Sequence, residues 1–246
     1  MLLSLVGVGG AADTQSLTYA LSVGGTPVGT REVTVRYLPA EELGGEEARL
    51  LTSYTTLNGR AAGLPLEMKV RASAHFADGL ASFSATVARG EARWEVQGRQ
   101  APDGSWQVSK RQDGTLEKWD YRRTEVDLSS LGLHDPERQA ILDGRSSVRL
   151  LTVESGQIFT GPLVDGGQTE LEIGGVSVAA HSRRWSPPEG AMALAWGPDG
   201  LLLRSTTVVL GREVVAELTE LPPPRSFGTV ELAPLGGGSG VAEEEL

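Results

Sequence analysis

The strongest structural signal in the chain is Leu64-Pro-Leu-Glu-Met-Lys-Val-Arg-Ala-Ser-Ala-His-Phe76. Every even-numbered residue in it is apolar, whereas Glu67, Lys69 and His75 are among the polar residues between them. In an extended strand, a period of two places the apolar side chains on one face and the polar side chains on the other. The stretch therefore predicts a half-buried strand of an antiparallel sheet.

The same alternation recurs on both sides of this stretch, and short turns separate the alternating segments. Gly24-Gly25, Asn58-Gly59, Asp78-Gly79, Arg89-Gly90 and Asp113-Gly114 are typical hairpin turns. The connections are too short to contain crossover helices, so the pattern predicts a meander of hairpins. Its predicted strands lie near residues 17–23, 33–37, 48–57, 64–76, 80–88, 92–97, 106–108 and 116–122.

One interruption predicts a short helix at residues 136–143. Asp135 can accept hydrogen bonds from free backbone amides, Pro136 suits the first helical position, and Gly144 suits a left-handed stop. Beyond it, strands are predicted at 147–153, 157–161, 168–173, 176–185, 190–196, 200–210 and 212–220. The predicted fold class is all-β, a strongly curved antiparallel sheet or open half-barrel of meandering hairpins with one short helix. That helix can plug the curved sheet or cross its edge.

The domain organisation predicted from composition is a single β domain at residues 13–234. Residues 1–12 are apolar and end in small residues, like the rear of a secretory signal, so we expect export, for example to the periplasm. Residues 235–246 are rich in glycine and glutamate and predict a disordered tail. No later stretch approaches the roughly 18 to 20 apolar residues of a transmembrane span.

Charge and cysteine content exclude several classes of function. The chain has 22 lysines and arginines against 32 acidic residues. Its net charge of −10 argues against electrostatic binding to nucleic acid or to an anionic membrane. Because it has no cysteine, it can form no disulfide, no thiolate zinc site and no cysteine nucleophile.

Four segments resemble a family of uncharacterised bacterial envelope domains. They are Tyr19–Gly29, Asp127–Ser130, Ala191–Arg204 and Val214–Leu218. Such domains are similar to the periplasmic lipoprotein carriers of the LolA and LolB kind. The resemblance implies a strongly curved antiparallel sheet whose concave face can hold acyl chains.

No set of residues predicts catalysis, a metal site or a cofactor. His75, His134 and His181 lack a second histidine at metal-ligand spacing, so we expect them to be solvated or to lie at a helix terminus. There is no Gly-x-Ser-x-Gly elbow, and spacing alone cannot place Asp120 and Asp127 across a glycosidic bond. We therefore expect the protein not to be an enzyme.

The large side chains leave two interpretations open. The five tryptophans can fill the core of a large sheet, or they can line a cavity for an apolar or sugar ligand. Beside Trp185, Arg183 or Arg184 could hold an anionic head group, but adjacent strand residues face opposite sides, so only one can point into a pocket.

Two functions remain from the sequence. In the first, a concave sheet binds or carries an apolar ligand such as a lipid or a lipidated polypeptide. The predicted contacts to that ligand are Leu66, Met68, Val70, Trp94 and Trp106. In the second, the domain is a structural or protein-interaction module of an envelope assembly, without a small-molecule ligand. If the helix after Asp135 fills the concave face, no ligand groove remains.

Overall fold

The computed structural model describes residues 14–38, 48–61, 64–77, 79–209 and 211–223. The predicted signal segment at 1–12 and the predicted tail at 235–246 lie outside these residues. Within them the regular structure consists of β-strands and a few short 3-10 helices. No helix among them is long and apolar enough to cross a membrane.

The fifteen strands follow one another along the chain with short connections. They are β1 (Thr14–Val23), β2 (Thr26–Leu38), β3 (Ala48–Ala61), β4 (Leu64–Phe76), β5 (Leu80–Arg89), β6 (Ala92–Gln100), β7 (Trp106–Gln112), β8 (Thr115–Tyr121), β9 (Leu128–Ser129), β10 (Ser147–Thr152), β11 (Gln157–Ile173), β12 (Val176–Trp185), β13 (Met192–Trp196), β14 (Leu202–Val209) and β15 (Arg212–Leu218). The 3-10 helices are Arg123–Glu125, Leu131–His134 and Pro136–Leu142.

All strands belong to one sheet, in the order β8-β7-β6-β5-β4-β3-β2-β1-β15-β14-β13-β12-β11-β10-β9. Each strand from β1 to β8 pairs with its sequence neighbour, and β1 also pairs with β15, which joins the two halves of the meander. The pairs are antiparallel except β9 with β10, which is parallel. The sheet does not close, because β8 and β9 stand at its two ends. The predicted fold class is confirmed.

The stretch from Leu64 to Phe76 forms β4 with the predicted bounds. Its side chains alternate as predicted: Leu66, Val70 and Phe76 are buried, and the polar residues between them are exposed or half-buried. Burial of one face against the core therefore fixes the register of this strand.

Two predicted breaks lie inside strands. Asn58-Gly59, predicted as a turn, belongs to β3 and pairs with β4, and one long strand replaces two predicted short ones. Residues 157–161 and 168–173 both belong to β11, which continues through Pro162 and the glycines that suggested a break. The sheet accommodates them with a bulge between Asp165 and Gly167. Gly167 has φ +74, and its amide donates a hydrogen bond to Oδ1 of Asp165 at 2.7 Å. A bulge disturbs pairing locally without ending the strand.

The predicted helix at 136–143 is present as the 3-10 helix Pro136–Leu142. Gly144 has φ +68, as a left-handed stop requires. The signals of Pro136 and Gly144 are confirmed, whereas capping by Asp135 stays a prediction. These signals do not distinguish 3-10 from α hydrogen bonding, which is decided by packing.

Buried apolar residues form two clusters. The main core lines β1 to β8 and continues onto β14 and β15. A second, smaller cluster, the small core, packs against β12 to β14; it consists of Leu128, Leu133, Leu142, Val148, Leu150, Leu163, Trp185, Leu194, Trp196 and Leu202.

Candidate functional site

The inner face of the curved sheet is occupied by the chain's own residues between β8 and β11. Along β10, Val148 and Leu150 belong to the small core, whereas Leu151 and, just after the strand, Val153 belong to the main core. Alternate residues of one strand thus pack into two different apolar clusters. This segment lies between the two halves of the sheet and is buried by both.

The turn after β10 is hydrogen-bonded to β6 and β8 and packs against the inner side of the sheet there. Nε1 of Trp94 donates a hydrogen bond to the carbonyl of Glu154 at 2.7 Å, and the hydroxyl of Tyr121 donates to the carbonyl of Gly156 at 3.0 Å. A Cβ at Gly156 would lie 2.8 Å from Cγ1 of Val108. The close approach shows that this turn packs directly on β7.

The five residues predicted to contact a ligand lie in or against the main core. Leu66, Val70 and Trp106 are 2%, 4% and 2% exposed, and Met68 and Trp94 are partly buried against the same cluster. The structure brings the five to one face of the sheet, where they contact protein. Their role as ligand contacts stays a prediction.

The small core contains a minute apolar cavity. Its volume is about 10 Å³, which is close to the least that one water molecule needs. It is lined by Leu128, Leu133, Leu142, Val148, Leu150, Leu163, Trp185, Met192 and Leu194. None of the five predicted ligand contacts lines it, and an acyl chain would require the cluster to open.

A buried polar pair connects the inner segment to β1. The hydroxyl of Tyr19 donates a hydrogen bond to the carbonyl of Leu202 at 2.8 Å, and Nδ1 of His134 lies 3.3 Å from the same hydroxyl. Because the single hydroxyl proton is directed at Leu202, the hydroxyl can only accept from His134. This assigns the imidazole proton to Nδ1. His134 is the last residue of the 3-10 helix Leu131–His134, as expected for a histidine at a helix terminus, but at 4% exposure it is buried and not solvated.

Both members of the pair are neutral at pH 7. Burial lowers the pKa of His134 to about 3, and the charge of Arg31 acts in the same direction. Burial also raises the pKa of Tyr19, which Arg31 opposes only in part. A histidine that stays unprotonated near neutral pH with its ring enclosed is poorly suited to proton transfer with a ligand.

A buried ion pair makes the second polar connection. Nε of Arg49 in β3 lies 3.3 Å from Oδ2 of Asp135, and the two side chains are 10% and 0% exposed. Asp135 directly precedes the 3-10 helix Pro136–Leu142. The pair therefore fixes the beginning of that helix to the inner face of the sheet.

Asp127 holds the start of the inner segment. Its carboxylate accepts hydrogen bonds from Arg149 at 2.7 and 3.0 Å and from Arg145 at 2.9 Å. Burial by itself would raise the pKa of Asp127, but the hydrogen bonds from Arg149 and the charges of both arginines lower it overall. An engaged, ionised carboxylate of this kind does not serve as a general acid.

A polar groove of about 370 Å³ lies beside the 3-10 helix Pro136–Leu142. It is lined by Gln139, Asp143, Gln168, Ala179, His181, Arg183, Trp196, Gly197 and Pro198. The guanidinium of Arg183 is hydrogen-bonded to the carboxylate of Asp143 and lies over the ring of Trp196, 5.9 Å from its centroid. We call this surface the polar groove.

A second groove, of about 320 Å³, lies on the opposite face of the sheet across β2 to β5. The hydroxyls of Ser73 and Ser84 are 2.9 Å apart there, and the guanidinium of Arg71 lies over the ring of Tyr54. None of the described side chains that line it has a buried nitrogen or oxygen atom without a hydrogen-bond partner, whereas Arg183 and His181 of the polar groove each have one.

Sequence reasoning found neither groove as such, although it singled out Arg183 and Arg184 as alternatives for a pocket. The structure selects Arg183. No group of three or more histidine and acidic side chains among the described residues could hold a metal ion.

Comparison with known proteins identifies the fold alone. No protein-family model matches the sequence, and no curated protein matches it either. A crystal structure of a β-barrel-like protein of the domain of unknown function DUF1849, from Brucella abortus, is similar to this chain with a TM-score of 0.53 and 10% identity. The similarity covers 84% of this chain and 96% of that one. The chain thus shares a β-barrel-like fold with it.

A Bacteroides fragilis structure with a YmcC-like fold, a protein proposed to be exported, is also similar at 10% identity. The similarity covers 84% of this chain and 94% of that one, but its TM-score of 0.36 is too low to support an argument. Neither structure bears on the resemblance to carriers of the LolA and LolB kind, which stays a prediction.

Proposed function

We propose that this protein is a noncatalytic component of the bacterial envelope that meets protein partners through an exposed edge of its sheet. The observation that carries the proposal is the occupied inner face. Leu151 and Val153 cover the main core, and the apolar cavity left in the small core measures about 10 Å³. With this face buried, outer surfaces and strand edges are available for recognition.

Strand β8 is the edge best suited to a partner. It is the terminal strand of the sheet order, and along the described chain its backbone pairs only with β7. Leu116 is 47% exposed, and Glu117 and Lys118 are exposed beside it. A free edge pairs with an extended segment through main-chain hydrogen bonds, while charged residues on it discourage unspecific pairing.

The noncatalytic part of the proposal rests on the state of the titratable groups. His134 and Tyr19 are buried and neutral, and Asp127 is engaged by two arginines. The apolar pattern of residues 1–12 supports the envelope location. The proposal requires no cofactor.

The first function predicted from the sequence, carriage of a lipid or lipidated polypeptide, requires the segment around β10 to leave the inner face. Native mass spectrometry of protein purified gently from its own host separates the two functions. We expect a mass without lipid. A stoichiometric acyl lipid, identified after denaturation and extraction, would overturn the proposal. Substitution of Met68 and Trp94 would then test whether these side chains contact the lipid.

Site-specific photo-crosslinking in the same host tests the edge itself. A photoreactive residue at Leu116 in β8 is compared with one at Thr30, which is equally on the surface but in the centre of the sheet. We expect a discrete cross-linked polypeptide from position 116 and none from position 30. Equal labelling at both positions, or none at either, would contradict an edge-directed interaction.

A further inference from the structure

The adjacent arginines of β12 have different environments. The side chain of Arg183 is 10% exposed and lines the polar groove. Arg184 is exposed, and its neighbours in the sheet, Val164 and Ala193, are exposed as well. The two guanidinium groups thus lie on opposite faces, and Arg184 is a matched control for Arg183.

Arg183 retains an unused donor in the groove wall. One of its terminal nitrogens, Nη2, is hydrogen-bonded to Asp143, whereas the other, Nη1, is buried and has no hydrogen-bond partner in the described part of the chain. A guanidinium remains protonated in proteins and carries only donors. A buried donor without an acceptor is unfavourable, so this nitrogen favours an added acceptor.

His181 offers a second donor on the same face, two residues earlier on the strand. Its Nδ1 lies 3.3 Å from the amide nitrogen of Gln168, which can only donate, so the imidazole proton is on Nε2. Nε2 lies 3.0 Å from Oδ1 of Asp165, but the geometry is not that of a hydrogen bond, and the atom is buried. Two donors with unmet capacity therefore line one groove.

We propose that the polar groove binds an oxyanion, a carboxylate or phosphate group, through Arg183 and His181. When the anion enters, the guanidinium of Arg183 transfers part of its hydrogen bonding from Asp143 to the anion. The side chains of Asp143 and Asp165 are 65% and 68% exposed, so water screens their charges. The side chain of Arg183 is nine-tenths buried, so its guanidinium interacts more strongly with an anion at short range.

The anion has two sources, a free oxyanion and the head group of an amphiphile. The groove borders the small core, because Leu194 is opposite Arg183 in the sheet and Leu142 precedes Asp143. Inorganic phosphate and dodecyl phosphate below its micelle concentration are therefore the two probes. Tighter binding of dodecyl phosphate identifies a head group, and equal affinity identifies a free anion.

Isothermal titration of the full chain with inorganic phosphate tests the site. We expect saturable binding at one site per chain, weakened at least about tenfold by Arg183→Gln and unchanged by Arg184→Gln. Absence of saturable binding, or equal weakening by both substitutions, would overturn the proposal.

Asp143→Asn keeps the test decisive if Arg183→Gln destabilises the fold. It removes the carboxylate that competes for the guanidinium, so we expect phosphate to bind several-fold more tightly. If Asp143 instead only positions Arg183 for a structural purpose, the substitution leaves the affinity unchanged or lowers it, which contradicts the proposal. Circular dichroism at the titration temperature confirms that each variant is folded.

Discussion

The hydroxyl of Tyr19 in β1 and Nδ1 of His134, 115 residues apart in the chain, lie 3.3 Å from each other in the interior of the sheet. Their rings meet edge to face, with centroids 5.3 Å apart. The contact joins the inner segment to the strand that connects the two halves of the meander. Its energetic consequences can be measured.

Acid should destabilise the protein through His134. The pKa of its imidazole is about 3 in the folded protein and about 6.5 in the unfolded chain, so the unfolded state binds the extra proton. The stability from the neutral imidazole is complete above about pH 6.5 and is lost as the pH falls towards 3. We expect a loss of about 2 kcal/mol between pH 7 and pH 5, measured by urea unfolding. His134→Gln should lack this part of the slope; an unchanged slope in that variant would contradict the assignment.

Tyr19→Phe should destabilise the fold by about 1 to 3 kcal/mol. The substitution removes the hydroxyl that donates to the carbonyl of Leu202 and contacts Nδ1 of His134, and both groups are then buried without this partner. Tyr54→Phe is the control, since Tyr54 is 41% exposed and its loss should cost less than about 0.5 kcal/mol. Equal effects of the two substitutions in urea unfolding would argue against the buried pair.

Breaking the Arg49–Asp135 pair should be far more costly than breaking an exposed pair. Asp135→Asn leaves the guanidinium of Arg49 buried, and we expect a loss of about 3 to 5 kcal/mol. Glu217→Gln in the pair with Arg204, whose side chains are more than two-fifths exposed, should cost less than about 1 kcal/mol. The double variant Arg49→Met with Asp135→Leu should recover much of the loss; additive effects would show that the two side chains are not coupled.

Gly156→Ala should destabilise the protein more than Gly144→Ala. Both glycines have positive φ, +74 and +68, so both substitutions carry a similar backbone cost. Only at Gly156 would the new Cβ meet another side chain, at 2.8 Å from Val108, whereas nothing lies within 4 Å of it at Gly144. Thermal unfolding of the two variants gives the difference, and equal losses would mean that the turn after β10 does not pack on β7.

The strands were predictable because their signal is local. The alternation from Leu64 to Phe76 set the bounds of β4, and the turn at Gly144 was predicted from a single residue. Several strands are longer than predicted, β2 and β7 among them, and β11 was predicted as two strands because its glycines form a bulge in place of a turn. A bulge and a turn have the same sequence signal, and the pairing of neighbouring strands decides between them.

The candidate site was predictable only in outline. The sequence established that Arg183 and Arg184 lie on opposite faces, since strand geometry requires it, but not which of them lines a groove. It also identified the apolar residues of β4, β6 and β7 without showing what covers them. Leu66 and Trp106 are equally apolar whether a lipid or a strand of the same chain packs on them.

The all-β class, the meander of hairpins and the apolar face of each strand can be read from the chain before it folds, because side-chain alternation and turn geometry act within a few residues. That the segment around β10 fills the inner face and that His134 is buried against Tyr19 becomes apparent only in the folded protein. The contact of His134 with Tyr19 joins residues more than a hundred positions apart in the chain. The segment around β10 packs between the two halves of the sheet. Hydrophobic burial has no direction of its own, so the arrangement of the complete sheet selects which apolar surfaces meet.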